Sequence, residues 1–205
     1  MTIYNKQCGS PNAGYHSGSS TIVLCDEFLA LLETHLSRDR SEESFREAVL
    51  GGVLFTMLHE AGHALVDQLE LPVLGREEDT VDAMATYLLL RTGADEIALA
   101  GAESFVAVQA FRKTVGMETP LWDAHSLDEQ RVYNILCWVY GSNPGKYGHF
   151  VTQQLLPEKR AALCPEDYQR TSRTLDRAFA PHLRTPPPAA PGPSKLHPVG
   201  HKTVP

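Results

Sequence analysis

From Asp26 to about residue 180, apolar residues recur every three or four positions, the spacing that lines one face of an α-helix, and strict alternation is scarce. The period predicts a first helix over 26–36. A long helix follows, opened by the capping box Ser44-x-x-Glu47 and running to about Leu71, where Pro72 stops it. Further helices are expected over roughly 79–90 and 97–115, and a fifth is opened by Ser126-x-x-Glu129 and stopped by Gly141. Two or three shorter ones start near Asn143, Pro157 and Pro165. One stretch breaks the period: STIVLC (20–25) is β-branched and follows the turn-rich HSGSS, so it reads as a strand, with the preceding NAGY placed to pair with it as a hairpin. Little else reads as strand. The expected fold class is mostly α with one small β-sheet (α+β).

Composition changes at Arg184. In RTPPPAAPGPSKLHPVGHKTVP repeated proline removes backbone donors and few apolar residues remain to offset the entropy of ordering. The expected organisation is therefore one domain over 1–183 and a Pro-rich, disordered tail over 184–205. His197 and His201 have the HxxxH spacing of metal ligands, but Pro198 and Gly200 forbid a rigid helix there, so they are read as solvated.

The long helix contains LFTMLHEAGHALVDQL (54–69), which sets two histidines and a glutamate among apolar residues. His59 and His63 differ by about 40° in azimuth and about 6 Å in height, so both imidazoles can reach one ion. Their face also carries Gly52, Phe55 and Val66, while Val53, Leu54, Met57, Leu58, Ala61, Ala64 and Leu65 cover the rest. A helix buried on every side is expected. The apolar run over 48–66 has about the length of a membrane span, but His59, Glu60 and His63 make lipid costly, and a core helix is the reading. An unpaired Glu60 carboxylate would be strongly penalised there, and a bound divalent cation offsets that penalty.

HEAGH fits HExxH, in which two neutral imidazoles bind Zn²⁺ and the intervening glutamate, about 100° round the helix, faces water at an open coordination position. Composition alone would produce the motif in roughly 3% of shuffled chains, and its place in the most apolar helix adds weight. A third ligand is needed. In GREEDTVDAMATYLLL, Glu78 and Asp82 lie four apart on a stripe that continues through Ala85 and Leu89, with Glu77 and Asp79 pointing to either side. Glu78 is the expected ligand. Asp82 is expected to hold the non-ligating nitrogen of a bound histidine, the alternative being Asp82 as the direct ligand in place of Glu78. A carboxylate-rich helix start that complements the macrodipole would explain residues 77–79, but not Asp82 on an apolar stripe. In WDAHSLDEQR (122–131), His125 is the first candidate donor to an oxyanion, with Arg131 and Tyr133 behind it. The competing reading is a capped helix start whose histidine satisfies a local carbonyl. His16 and His149 are read as structural or solvent-facing.

HEAGH followed by Glu78-Asp-Thr-Val-Asp82 resembles the HExxH plus ExxxD arrangement of the gluzincin zinc metallopeptidases. The metzincin pattern would need Gly at 66 and His at 69, where this chain has Val66 and Leu69. NAGYHSGSSTIVL looks like the segment that, in the CAAX-processing type of gluzincin, forms the sheet edge above the cleft. That likeness implies peptide binding by strand addition along Asn12, Ala13, Gly14 and Tyr15. The membrane helices of that type are absent, which argues against a lipidated substrate. The blocks CGSPNAGY, IVLCDEF, LFTMLHEAGHALVDQLELPVLGREEDTVDAMAT and WDAHSLDEQRVYNILCWVYG, with a cysteine near 164, are similar to a domain-of-unknown-function family of soluble, often exported metallopeptidase-like proteins. The resemblance spans about residues 8 to 180 and implies a zincin-like fold with a long active-site helix.

The expected function is thus zinc-dependent peptide hydrolysis with Glu60 as general base. Alternatives are a non-catalytic zinc-stabilised binding module and a sensor protease that cuts one regulatory partner. A net charge of −7 and pI near 5.7 argue against nucleic acid or an anionic membrane as main partner, leaving a peptide or protein substrate. Four cysteines without a CxxC pair allow disulfides Cys8–Cys25 and Cys137–Cys164, or four buried thiols. The N-terminus lacks the pattern of a secretory signal, so the chain is cytoplasmic or has lost a leader; the cysteines lean toward an extracytoplasmic (periplasmic or secreted) site.

Overall fold

A computed structural model of the protein describes residues 1–37, 39–118 and 121–183; the expected tail, with His197 and His201, lies outside them. Strands β1 (Thr2–Lys6), β2 (Ala13–His16) and β3 (Thr21–Cys25) form a sheet in the order β1-β3-β2. β2 and β3 are the antiparallel hairpin foreseen in NAGY and STIVLC, in register from Ala13↔Leu24 to His16↔Thr21. β1 adds to the expected pair and runs parallel to β3. All five of its residues are exposed, so no buried face imprints a period on it. β3, in the middle, buries Ile22, Val23 and Cys25.

The loop entering β2 is held firmly. Cys8 is disulfide-bonded to Cys25, and the Glu27 carboxylate accepts the backbone N–H groups of Cys8 (3.1 Å) and Gly9 (2.7 Å). Cys25 N–H donates to the Asn12 carbonyl at 3.0 Å. A second disulfide joins Cys137 to Cys164. Both pairings foreseen are present, and no cysteine is free.

The helices are α1 (Asp26–His35), α2 (Glu42–Gln68), α3 (Glu77–Thr92), α4 (Asp95–Thr114), α5 (Asp128–Ser142), three single turns α6 (Pro144–Tyr147), α7 (His149–Thr152) and α8 (Glu158–Ala161), and α9 (Cys164–Phe179). Two caps differ from expectation. α2 starts one turn early, because the Ser41 hydroxyl accepts Ser44 N–H at 3.2 Å, so the expected box lies inside the helix. At α5 the Gln130 side chain accepts Leu127 N–H at 3.2 Å, while the Ser126 hydroxyl donates to Asp79 Oδ2 at 2.9 Å and ties the start of α3 to that of α5. α9 is no short helix: it runs 16 residues and buries Leu175 and Phe179 against Leu71, Val81, Met84 and Tyr87 of α3 and its approach.

α2 is the central element, contacted by α1, α3, α4, β2 and β3. It has the length and hydropathy of a membrane span, and here serves as the core helix. The expectation of burial on every side fails along one stripe: Leu50 is 61% and Leu54 49% exposed, one turn apart on the side its neighbours leave open. Elsewhere the approach is close. A Cβ at Gly101 of α4 would lie 2.2 Å from the Phe55 ring, and one at Gly62 of α2 would lie 2.8 Å from Val81 of α3. The second contact matters for function, since Gly62 sits between the two histidines and Val81 between Glu78 and Asp82. Absent side-chain bulk lets α3 lie against α2 where the polar residues are.

Candidate metal centre

His59 and Glu60 are buried in the middle of α2, and His63, one turn on, is half-buried. The first turns of α3 bring three carboxylates, those of Glu77, Glu78 and Asp82, to the histidines. His59 Nε2 lies 3.2 Å from Glu78 Oε2, and His63 Nε2 lies 3.5 Å from Glu78 Oε1. The nearest ligand atoms of His59, His63 and Glu78 all fall within 4.8 Å of one another. Ligands at 2.0–2.1 Å from a tetrahedral ion are separated by about 3.3 Å, so these spacings suit donors around one centre. Glu78 Oε2 supplies an independent check: it is buried and makes no hydrogen bond, although imidazole nitrogens of His59 and His125 both stand 3.2 Å away. Proximity without hydrogen-bond alignment is the arrangement of lone pairs that converge on a cation.

The opposite nitrogens point outward. His59 Nδ1 is 2.8 Å from Asp82 Oδ1 and His63 Nδ1 is 2.7 Å from Glu77 Oε1, contacts that fix both imidazoles with Nε2 toward Glu78. Asp82 is itself clamped, with Arg131 Nε donating to Oδ2 at 2.7 Å and an Arg131 terminal nitrogen to Oδ1 at 2.8 Å. The guanidinium also lies 3.9 Å from the centre of the Phe105 ring. Arg131 is therefore engaged behind His59, which removes it as a free oxyanion donor. Tyr133 lies outside the site, on a surface groove between α4 and α5.

The cluster demands positive charge. Burial would raise the Glu78 pKa, but the imidazoles of His125, His59 and His63 outweigh it and hold the carboxyl well below the usual range. Burial likewise disfavours charge on His63, yet Glu78 and Glu77 push it up to about 9. His59 is raised too, with Asp82 and Glu78 overcoming its desolvation. Asp82 is lowered because Arg131 and His59 more than compensate burial. Glu60 behaves differently: burial raises its pKa, and the charges of His59 and His63 with the Tyr15 backbone N–H offset that only in part. Two imidazoles, one carboxylate and no thiolate form a donor set suited to a divalent metal ion.

His125 sits across from α2, 47% exposed, with Nε2 toward Glu78 and Nδ1 held 2.8 Å from Asp123 Oδ1. Its carbonyl accepts from Arg76 at 2.6 Å. A polar cleft of about 490 Å³ runs past Glu60, His63, Glu78 and His125, and Asn12, Ala13, Gly14 and Tyr15 form its far wall. β3 covers one edge of β2, the other pairs with no strand among the described residues, and β2 lines the cleft through Ala13, Gly14 and Tyr15. The Tyr15 hydroxyl donates to Asp67 Oδ2 at 2.8 Å and pins β2 to the end of α2.

A sequence model of one protein family, described as "Putative metallopeptidase", matches residues 1–178. The chain belongs to that family. No curated protein and no solved structure matches it. Membership implies a bound metal and a peptide or protein substrate, and among the described residues His59, His63 and Glu78 are the group that combines imidazoles with a carboxylate at ligand spacing.

Three features of the site went unforeseen. Helical spacing sets Glu77 to one side of the Glu78–Asp82 stripe, yet it holds His63, because His63 lies one turn beyond His59 on α2 and meets the very start of α3. The pairing of Arg131 with Asp82 crosses 49 residues and leaves no local trace. Asp123 did carry a local signal: an aspartate two residues before a histidine can accept its backbone N–H, as it does at 2.9 Å.

Proposed function

We propose that this protein is a zinc-dependent peptide hydrolase of zincin-like fold, formed by residues 1–183, in which His59, His63 and Glu78 hold Zn²⁺ and Glu60 is the general base. The convergence of His59 Nε2, His63 Nε2 and Glu78 on one point, with both Nδ1 atoms turned to carboxylates, carries the reading. When bound, zinc polarises a carbonyl and acidifies water.

The chain's own groups do the rest. Glu60, its pKa raised by burial, is tuned to take a proton from the attacking water and pass it to the leaving amine. His125, oriented by Asp123, donates from Nε2 to the carbonyl oxygen as negative charge builds there. Asp82, backed by Arg131, keeps His59 in the required tautomer and orientation. The free edge of β2 over Asn12–Tyr15 takes the substrate backbone as an added strand. Two disulfides favour an oxidising, extracytoplasmic compartment.

The test is Glu60→Gln. It should retain one zinc per chain by elemental analysis while peptide turnover falls about 10²–10⁴-fold. Undiminished cleavage would refute the assignment of the base.

A further inference from the structure

Beside the polar cleft lies a second cavity of about 350 Å³ that also reaches His59 and Glu60. The two share Asn12, Ala13, His59, Glu60 and His125, so the second opens where the proposed general base and the β2 edge meet. Much of its wall is apolar. Phe28 and Leu31 come from α1, Phe55 from α2, and Phe105, Val108 and Phe111 from α4. Of the three hydroxyl residues in the lining, Ser10 belongs to the exposed loop before β2, while Thr56 and Ser104 are bound to their own helices, Thr56 donating to the Gly52 carbonyl at 2.9 Å and Ser104 to that of Gly101 at 2.7 Å.

Of the charged lining residues, Glu60 and His125 belong to the part shared with the polar cleft, and the others are paired. Arg131 is bound to Asp82, and Arg112 Nε lies 3.5 Å from Asp128 Oδ2. Beyond that shared part, an incoming Asp, Glu or Lys side chain would lose its hydration among aromatic walls where the charges of Arg112, Asp128 and Arg131 already have partners. A flat, bulky hydrocarbon would instead displace water from aromatic walls. The volume lies within the range of formed binding sites, about 300–1,000 Å³.

We propose that this cavity is the specificity pocket for the residue flanking the scissile bond, and that it selects aromatic side chains and rejects charged ones. The inference rests on the hydrolase reading for the words "scissile bond" alone; the selectivity follows from the walls. A peptide laid along Asn12 and Ala13 would pass the mouth of the cavity at Glu60, and one side chain would drop between α1 and α4.

The experiment has a binding arm and a cleavage arm. N-acetyl-Ala-Phe-Ala-amide and N-acetyl-Ala-Asp-Ala-amide are titrated into the zinc-loaded full chain and followed by the methyl NMR signals of Leu31, Val108 and Met117. The Phe peptide should shift these signals and bind at least about tenfold tighter, the scale of one buried apolar group. Val108→Phe, which fills the cavity, and Phe111→Ala, which enlarges it, should each change that ratio; having both guards against one variant failing to fold. In a peptide-library digest, wild-type cuts should cluster beside aromatic residues, and Val108→Phe should move them to small ones. Equal binding of the two peptides, or cleavage indifferent to aromatic residues and to Val108→Phe, would overturn the pocket and leave the hydrolase standing. Selective binding without any cleavage would support the pocket and sink the hydrolase.

Discussion

Asp82 shows how far a single buried group is committed. It is 2% exposed, accepts two bonds from Arg131, and faces His59 Nδ1. Asp82→Ala leaves the Arg131 guanidinium buried without its partner, a loss of about 3–5 kcal/mol. It also releases His59, which should weaken zinc binding about 10–100-fold. Chemical denaturation and a competitive zinc titration measure the two effects; wild-type values in both would show that Asp82 holds neither group. Protonation sets a second expectation. With His63 raised to about 9 and His59 and His125 also raised, the metal-free cluster carries protons at pH 7. Zinc needs neutral imidazoles, so its uptake at pH 7 should release at least about one proton. Affinity should climb as pH rises toward 9, where His63 gives up its proton unaided. Calorimetry in buffers of different ionisation enthalpy reads the release directly, and none at pH 7 would contradict the charge state of the cluster.

At the scale of the element, Gly62 and Val81 set how near α3 comes to α2. Gly62→Val should overpack that contact at a cost of about 1–3 kcal/mol and carry Glu78 and Asp82 away from the histidines. Zinc affinity and thermal stability should therefore fall together; a fall in stability with intact affinity would detach the helix spacing from the site. The same contact explains what could be read from the chain beforehand. A helical period determines which residues share a face within one helix, so His59 with His63, and Glu78 with Asp82, were legible. It does not determine how two helices are set against each other, so the pairing of Glu77 with His63 was not. Caps shifted for a related reason: Ser41 and Ser44 both suit an N-cap, and only the packing of the first turn chooses between them. β1 left no signal because none of its residues is buried.

For the whole molecule, the long α9 is bound to α5 by the Cys137–Cys164 disulfide, 27 residues apart in sequence, and its apolar side closes the far face of α3. Replacing both cysteines by serine should lower stability by about 2–4 kcal/mol, read as a lower denaturant midpoint. Reducing agent should lower the wild-type midpoint by more than that of the variant, in which Cys8–Cys25 is the one disulfide left to break; a variant midpoint equal to that of the wild type would mean that packing alone holds α9. The arrangement as a whole places a sheet edge, a charged cluster and an apolar cavity around one end of α2. All three converge on Glu60, and the proposed hydrolysis there depends on the claim that a zinc ion sits between α2 and α3. X-ray absorption at the zinc edge of the loaded protein tests that claim most directly. The account predicts about two imidazole nitrogens and carboxylate oxygen at about 2.0–2.1 Å with a water completing the set, and loss of the oxygen ligand in Glu78→Ala. A zinc-free protein, or a shell closed by a third imidazole from His125, would contradict it.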